Sequence, residues 1–267
     1  MTCASHKAKS RIALTAAVFF LTAAALLCAY VLYCMHAAQT PPSPESPAQE
    51  ESAPVDSDGF PEVDWAYWQG INSDVIGWLT IPGTDVNTPI LQARPASPDY
   101  YLHHGVYGNY NPAGAVYLDA DCEEFGLSSR NAVILGHHFM GSTSIAPMGN
   151  IARYTDETFA REHSRILIQT PNVKLTYEAR FAQIVNGLGR NKRTYFEGET
   201  DFRFWYDESR SSAALVLDGN TEPEQTVSLV TCSYNIWVNN ERTVLVTSTW
   251  EPTEEHTENA QITAEAS

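Results

Sequence analysis

Two β-type runs near the C-terminal end constrain this chain more than any other stretch. From Thr226 to Thr247 it reads T-V-S-L-V-T-C-S-Y-N-I-W-V-N-N-E-R-T-V-L-V-T. Val227-Ser228-Leu229-Val230 ends on Thr231-Cys232, and a second run opens at Arg242 and continues Thr243-Val244-Leu245-Val246. Asn235, Asn239 and Asn240 mark the loop between them. A cysteine thus closes one expected strand and an arginine opens the next. If the strands are neighbours, both side chains reach one site. A thiol acts as a nucleophile only as thiolate, which a nearby cation favours. Arginine stays charged and offers several donors to a developing oxyanion.

The missing proton carrier is expected upstream, in Asn131-Ala-Val-Ile-Leu-Gly-His-His-Phe139. His137 follows a strand-like run and a glycine, so it too sits at a strand end, where loops present side chains to a cleft. His138 is the alternative.

The rest of the chain divides by composition. Ile12 to Met35 is 24 residues without a charge. At about 1.5 Å per residue it spans a bilayer core of roughly 30 Å with some tilt. Lys7, Lys9 and Arg11 precede it and the next charge is Glu45, which puts the N-terminus inside and the remainder outside. A cleaved signal peptide is the rival reading, but its small-residue cleavage pattern is poor here, with Met35 and His36 in the wrong places. The expected organisation is a cytoplasmic N-terminus over 1–11, a signal-anchor helix over 12–35, a Pro/Ser/Glu-rich spacer over 36–60, one catalytic domain over 61–251 and an acidic tail over 252–267. The first 35 residues contain no acid, so every negative charge behind the formal −16 lies beyond Met35. Such a surface argues against nucleic acid and against docking on anionic lipid.

Within the domain, Asp64-Trp-Ala-Tyr-Trp-Gln-Gly-Ile71 predicts a short helix capped by Asp64. Strands are expected at 77–81, 86–92, 114–119, 132–135, 165–170 and 174–185, besides the last two. A helical turn is expected at 100–104, and short helices at 145–154, 156–163 and 202–211. About eight strands with few helices between them favour a mostly antiparallel barrel over alternating β and α units.

The order His, Cys, Arg on strand ends of such a barrel resembles the sortases, the membrane-anchored cysteine transpeptidases of Gram-positive bacteria. Leu229-Val-Thr-Cys232 matches the family's T-L-x-T-C at its Thr-Cys, with Ser228 where one threonine is expected. Gly136-His137 matches the family's G-H, and Arg242 follows the cysteine by ten residues. Ile71-Asn-Ser-Asp-Val-Ile-Gly-Trp-Leu-Thr-Ile-Pro-Gly-Thr84 and the doubled histidine are most similar to class B. The resemblance, over roughly 60–250, implies an eight-stranded sortase-type barrel with an N-terminal helix and a helix-bearing insertion before the cysteine strand. It implies a thioacyl-enzyme on Cys232, with His137 as acid and base and Arg242 as substrate and oxyanion holder. Thr231 and Leu102 are the further substrate contacts it suggests. The implied substrates are surface proteins bearing a C-terminal sorting signal of LPXTG or Asn-Pro-led type. The implied acceptor is an amine of a peptidoglycan precursor or a pilin lysine, and no metal or organic cofactor is needed. No lid motif of the pilin-polymerising class C enzymes occurs in the spacer. A pilus-assembling class B enzyme and a catalytically silent surface binding module remain the alternatives.

Other features have plainer readings. Cys122 and Cys232 can pair as a disulfide, the less favoured reading. A metal site from His103, His104, His137 and His138 is disfavoured because adjacent side chains diverge in extended chain. Asp119-Ala-Asp-Cys-Glu-Glu124 reads as a solvated acidic turn, and Trp65, Trp68 and Trp78 as core.

Overall fold

The computed structural model describes residues 56–139, 146–187, 192–217, 223–233 and 240–249. The expected anchor at 12–35 and the acidic tail at 252–267 lie outside these. Among the described residues no helix is long and apolar enough to cross a membrane.

Helix α1 (Trp65–Ile71) starts where the sequence predicts, because the Asp64 carboxylate accepts the Tyr67 N–H and satisfies a backbone donor that the helix leaves free. Nine strands follow: β1 (Val75–Thr80), β2 (Asn87–Gln92), β3 (Tyr117–Leu118), β4 (Asn131–Leu135), β5 (Arg165–Gln169), β6 (Lys174–Asn186), β7 (Leu215–Val216), β8 (Thr226–Cys232) and β9 (Glu241–Thr249). Their order is β5-β1-β2-β3-β4-β8-β9-β6-β7, and β5 also pairs with β6. That pairing closes the first eight into a barrel, and β7 takes up the edge of β6 beyond the end of β5. The expected eight-stranded, mostly β barrel is therefore present, with β7 appended. Most pairs are antiparallel; β2–β3 and β4–β8 are parallel.

Several local expectations differ in kind or extent. The strand expected over 114–119 shrinks to Tyr117–Leu118. Gly114 sits at φ 60°, and a Cβ there would lie 2.4 Å from the Tyr101 carbonyl oxygen, so the chain turns before it can pair. The helix expected over 145–154 is a 3₁₀ segment, Pro147–Thr155, followed by α2 (Glu157–Glu162), which the Asp156 carboxylate caps. The 119–130 loop contains two 3₁₀ turns, Ala120–Cys122 and Gly126–Ser128. Asp56–Phe60, at the end of the expected spacer, is fastened to the barrel: Phe60 is buried and Asp56 pairs with Lys174.

Three apolar clusters follow from strand alternation. Leu118, Ile134, Leu229 and Leu245 point inward and fill the barrel with Leu79, Ile90, Ile166 and Ile168. Val133, Val230, Val244 and Val246 point outward under α3 (Glu199–Ser211). That helix buries Phe202, Trp205, Tyr206 and Ser209, an i, i+3, i+4, i+7 stripe, and forms part of the expected insertion between β6 and β8. Tyr117, Leu91 and Val75 also face outward, under Tyr101 and, from α1, Trp65 and Trp68. Leu135 packs against both outer clusters.

Strand β8 is buried on both faces, as befits a strand with a parallel neighbour. Its polar outer residues are satisfied by Asn131 at the start of β4. The Asn131 Oδ1 accepts from Thr226 Oγ1 at 3.0 Å and Ser228 Oγ at 2.8 Å, and its Nδ2 donates to the Arg193 carbonyl at 2.8 Å. Removing this side chain orphans two buried hydroxyls at about 1–3 kcal/mol each. Asn131→Ala is therefore expected to cost about 2–4 kcal/mol, and Ser228→Ala about 1 kcal/mol, in urea denaturation.

Candidate functional site at the ends of β4, β8 and β9

Cys232 is paired directly with Arg242 across β8 and β9. The next rung, from the Ser233 N–H to the Glu241 carbonyl at 3.0 Å, makes Cys232–Arg242 a non-hydrogen-bonded pair, the kind whose side chains lie closest. Both side chains are half-buried and face outward, on the parity of Val230 and Val244. Arg242 Nη1 donates to the Glu241 carbonyl at 2.9 Å, which fixes one arm of the guanidinium.

The β4–β8 register ends with Leu135 beside Val230; His137 follows two residues past the end of β4, as Cys232 follows Val230 on β8. His137 shares the outward parity of Leu135. Its Nε2 lies 2.8 Å from the Leu102 carbonyl oxygen. A carbonyl only accepts, so Nε2 carries a hydrogen, and the neutral ring then has Nδ1 as its acceptor nitrogen. Phe139 stacks on the ring at 5.6 Å between centroids. Leu102, expected as a substrate contact, thus reaches the site through its main chain, while its side chain packs against the α1 cluster. Thr231 is buried with inward parity, and its hydroxyl donates to the Gly136 carbonyl at 2.9 Å.

Two neighbours of the site are not among the residues the sequence singles out. Tyr117 lies on the outward row of Leu135 and Val230. Burial first, then Asp119 and Asp99, push its phenol well above the usual range; Arg242 pulls it down and Cys232 raises it, so it sits within electrostatic reach of the pair. A short strand of alternating parity is the only sequence signal for it. The other is a pocket of about 130 Å³ beside His137, bounded by Thr88, Ala115, Pro147 and Met148. Larger surface clefts lie elsewhere, around Asp74 and Arg94 and around Asp56 and Arg165, and contain none of these residues. Gly136 is required by crowding: a Cβ would lie 2.4 Å from Met148 Cγ.

Cys122 and Cys232 are both free thiols, so the disulfide is not formed. No group of three or more His, Cys, Asp or Glu among the described residues is placed to hold a metal. His104 stacks on Tyr100 at 3.9 Å, and the His103 ring is 6.4 Å from that of His137. The acidic turn is less solvated than its composition suggests, since Asp119 is buried and Lys192 bridges it and Asp121 at 3.0 and 3.3 Å. Trp78 is buried, and Trp65 and Trp68 pack against the α1 cluster.

The closed barrel, with Cys232 ending β8, Arg242 near the start of β9 and His137 just past β4, is similar in fold to solved class B sortases. The fold matches a Staphylococcus aureus sortase B–substrate complex with a TM-score of 0.61 at 23% identity, covering 70% of this chain and 84% of that one. It matches Clostridium perfringens sortase B with a TM-score of 0.62 at 22% identity, covering 69% and 98%. In sequence the chain resembles the class B members: sortase B of Staphylococcus aureus at 25% identity over 163 residues, and sortase B of Listeria monocytogenes at 34% over 96. These alignments span 61% and 36% of this chain, and 64% and 36% of the relatives, which is less than two thirds of their length. No family model matches.

Burial pushes the Cys122 thiol up, so it stays protonated and unreactive at neutral pH. Iodoacetamide at about pH 7.5 is expected to label Cys232 and spare Cys122 until the chain unfolds, read by peptide mapping. Equal labelling of both in the folded chain contradicts the placement of Cys122.

Proposed function

We propose that this chain is a cysteine transpeptidase of the class B sortase type. The observation that carries the reading is the direct pairing of Cys232 with Arg242, next to the strand end that bears His137. The Cys232 thiolate attacks the carbonyl of a sorting motif, LPXTG or Asn-Pro-led, near the C-terminus of a surface protein. Arg242 donates to the oxyanion as the tetrahedral intermediate forms. The C–N bond then breaks, and His137 gives a proton to the departing amine, leaving a thioacyl-enzyme. An incoming amine of a peptidoglycan precursor or a pilin lysine loses a proton to the same imidazole and releases the product. Atoms balance without metal or organic cofactor, since one amide is exchanged for another.

The relatives support both halves of this cycle. Sortase B structures include one described as a complex with substrate and one as a complex with triglycine, a peptide that carries a free amine. Ile12–Met35 serves as the membrane anchor and the Pro-rich spacer holds the domain outside, where such substrates emerge. Leu102 borders the peptide path through the carbonyl that orients His137, while Thr231, expected as a second substrate contact, is buried with its hydroxyl on the Gly136 carbonyl and supports the strand end instead.

Incubation with LPXTG-type and Asn-Pro-led peptides is expected to give an acyl adduct on Cys232 that an added amine releases, read by intact mass. Cys232→Ala abolishes the adduct. His137→Ala and Arg242→Ala are each expected to lower the rate by about 10²–10⁴-fold with the fold retained by circular dichroism. Product formation by Cys232→Ala refutes the assignment.

A further inference from the structure

The β4–β8 ladder changes character where it reaches the reacting residues. Its last backbone rung runs from the Gly136 N–H to the Val230 carbonyl at 3.2 Å. In a parallel pair the next two rungs would run from the Cys232 N–H to the Gly136 carbonyl and from the His138 N–H to the Cys232 carbonyl. The Cys232 carbonyl is held by a side chain there: His138 Nδ1 lies 2.8 Å from it. One step back, the opposite strand answers in kind, with Thr231 Oγ1 donating to the Gly136 carbonyl at 2.9 Å. Each strand thus sends one side chain to the other's backbone. The two contacts bracket His137 on one strand and meet Cys232 on the other.

His138 has a seat for this task. Its parity is that of Ile134, toward the barrel end and away from the outward groove of His137. Its ring lies against Gly149, where a Cβ would be 2.8 Å from the His138 Cδ2, so the 3₁₀ segment has to present a glycine to it. The Cys232 carbonyl only accepts, which places a hydrogen on His138 Nδ1.

We propose that His138 and Thr231 are positioning residues that lock the nucleophile strand to the histidine strand and so fix the separation of Cys232 from His137. This rests on the transpeptidase reading for its consequence in turnover, and on geometry alone for its effect on the thiol. Backbone ladders end by fraying. A side-chain clamp at the final rung holds two reacting groups that the ladder itself no longer reaches. It also divides the doubled histidine: His137 exchanges protons, and His138 holds the backbone.

The test uses the full chain in detergent, with His138→Phe, which keeps a ring and removes the donor, and His138→Asn, whose amide N–H falls near Nδ1. Thr231→Val and Thr231→Ser form the matching pair. The substrate is whichever LPXTG-type or Asn-Pro-led peptide acylates the parent chain. His138→Phe is expected to lose about tenfold to a hundredfold in kcat with KM within about twofold, the signature of misplaced reacting groups rather than lost binding. His138→Asn and Thr231→Ser are expected to recover most of that loss, while melting temperatures of all four stay within a few degrees of the parent. Unchanged kcat in His138→Phe, or an Asn variant as impaired as the Phe variant, overturns the clamp. If no peptide acylates the parent chain, the transpeptidase reading fails separately. The clamp is then judged by the rate at which iodoacetamide alkylates Cys232. A change in His138→Phe that His138→Asn reverses supports it, and equal rates in all variants overturn it.

Discussion

The parallel pairing of β4 with β8 is the contact on which the site depends. The two strands are far apart in sequence, and only their register decides which residue stands beside Cys232. At the near end the register is held by the Asn131 amide, which takes the hydroxyls of Thr226 and Ser228 in a buried setting. A slip by one residue would leave those hydroxyls unpaired and reverse the side-chain alternation along the strand. At the far end the same strands lead into His137 and Cys232, each two residues past the last pair, Leu135–Val230. A polar contact at one end of the strands thus helps set the alignment of the candidate site at the other.

Because Cys232 and Arg242 have outward parity, the barrel interior contributes no side chain to the candidate site. It is filled by aliphatic side chains and supplies rigidity. The site lies on the outer wall, flanked by the α1 cluster on the β3 side and the α3 cluster on the β9 side. Both clusters bring aromatic bulk up to the groove, and Tyr117 contributes a phenol that burial keeps protonated. A thiol and a guanidinium on such a wall are partly withdrawn from water, where Coulomb attraction counts for more than in solvent.

Much of this was legible in the chain. The hairpin at 165–185, the capped start of α1 and the two C-terminal strands have strong local signatures: turn residues, an aspartate before an aromatic run, alternating β-branched residues. The barrel followed from counting strands, and the Cys–Arg pairing from their spacing. What was not legible depends on long-range packing. Parallel neighbours cannot be inferred from alternation, so the role of Asn131 was hidden. Pro147–Thr155 has a helical period but tightens into a 3₁₀ segment as it packs against Gly136 and the His138 ring through Met148 and Gly149. Thr231 read as a polar group beside a nucleophile, yet its parity turns the hydroxyl inward to the Gly136 carbonyl. Asp119 read as solvated because its neighbours in sequence are acidic; Lys192, more than seventy residues away, changes that.

Leu135 has a consequence of its own. Its side chain packs against both outer clusters, so it transmits compression between them. Close-packed interiors respond to a lost or added methylene by shifting neighbours rather than by absorbing it. A repacking of α3 through its Phe202 or Trp205 therefore reaches, through Leu135, the turn of Tyr101 and Leu102 whose carbonyl contacts His137. The insertion and the N-terminal helix, which contribute neither Cys232, Arg242 nor His137, thereby become two mechanical handles on one imidazole.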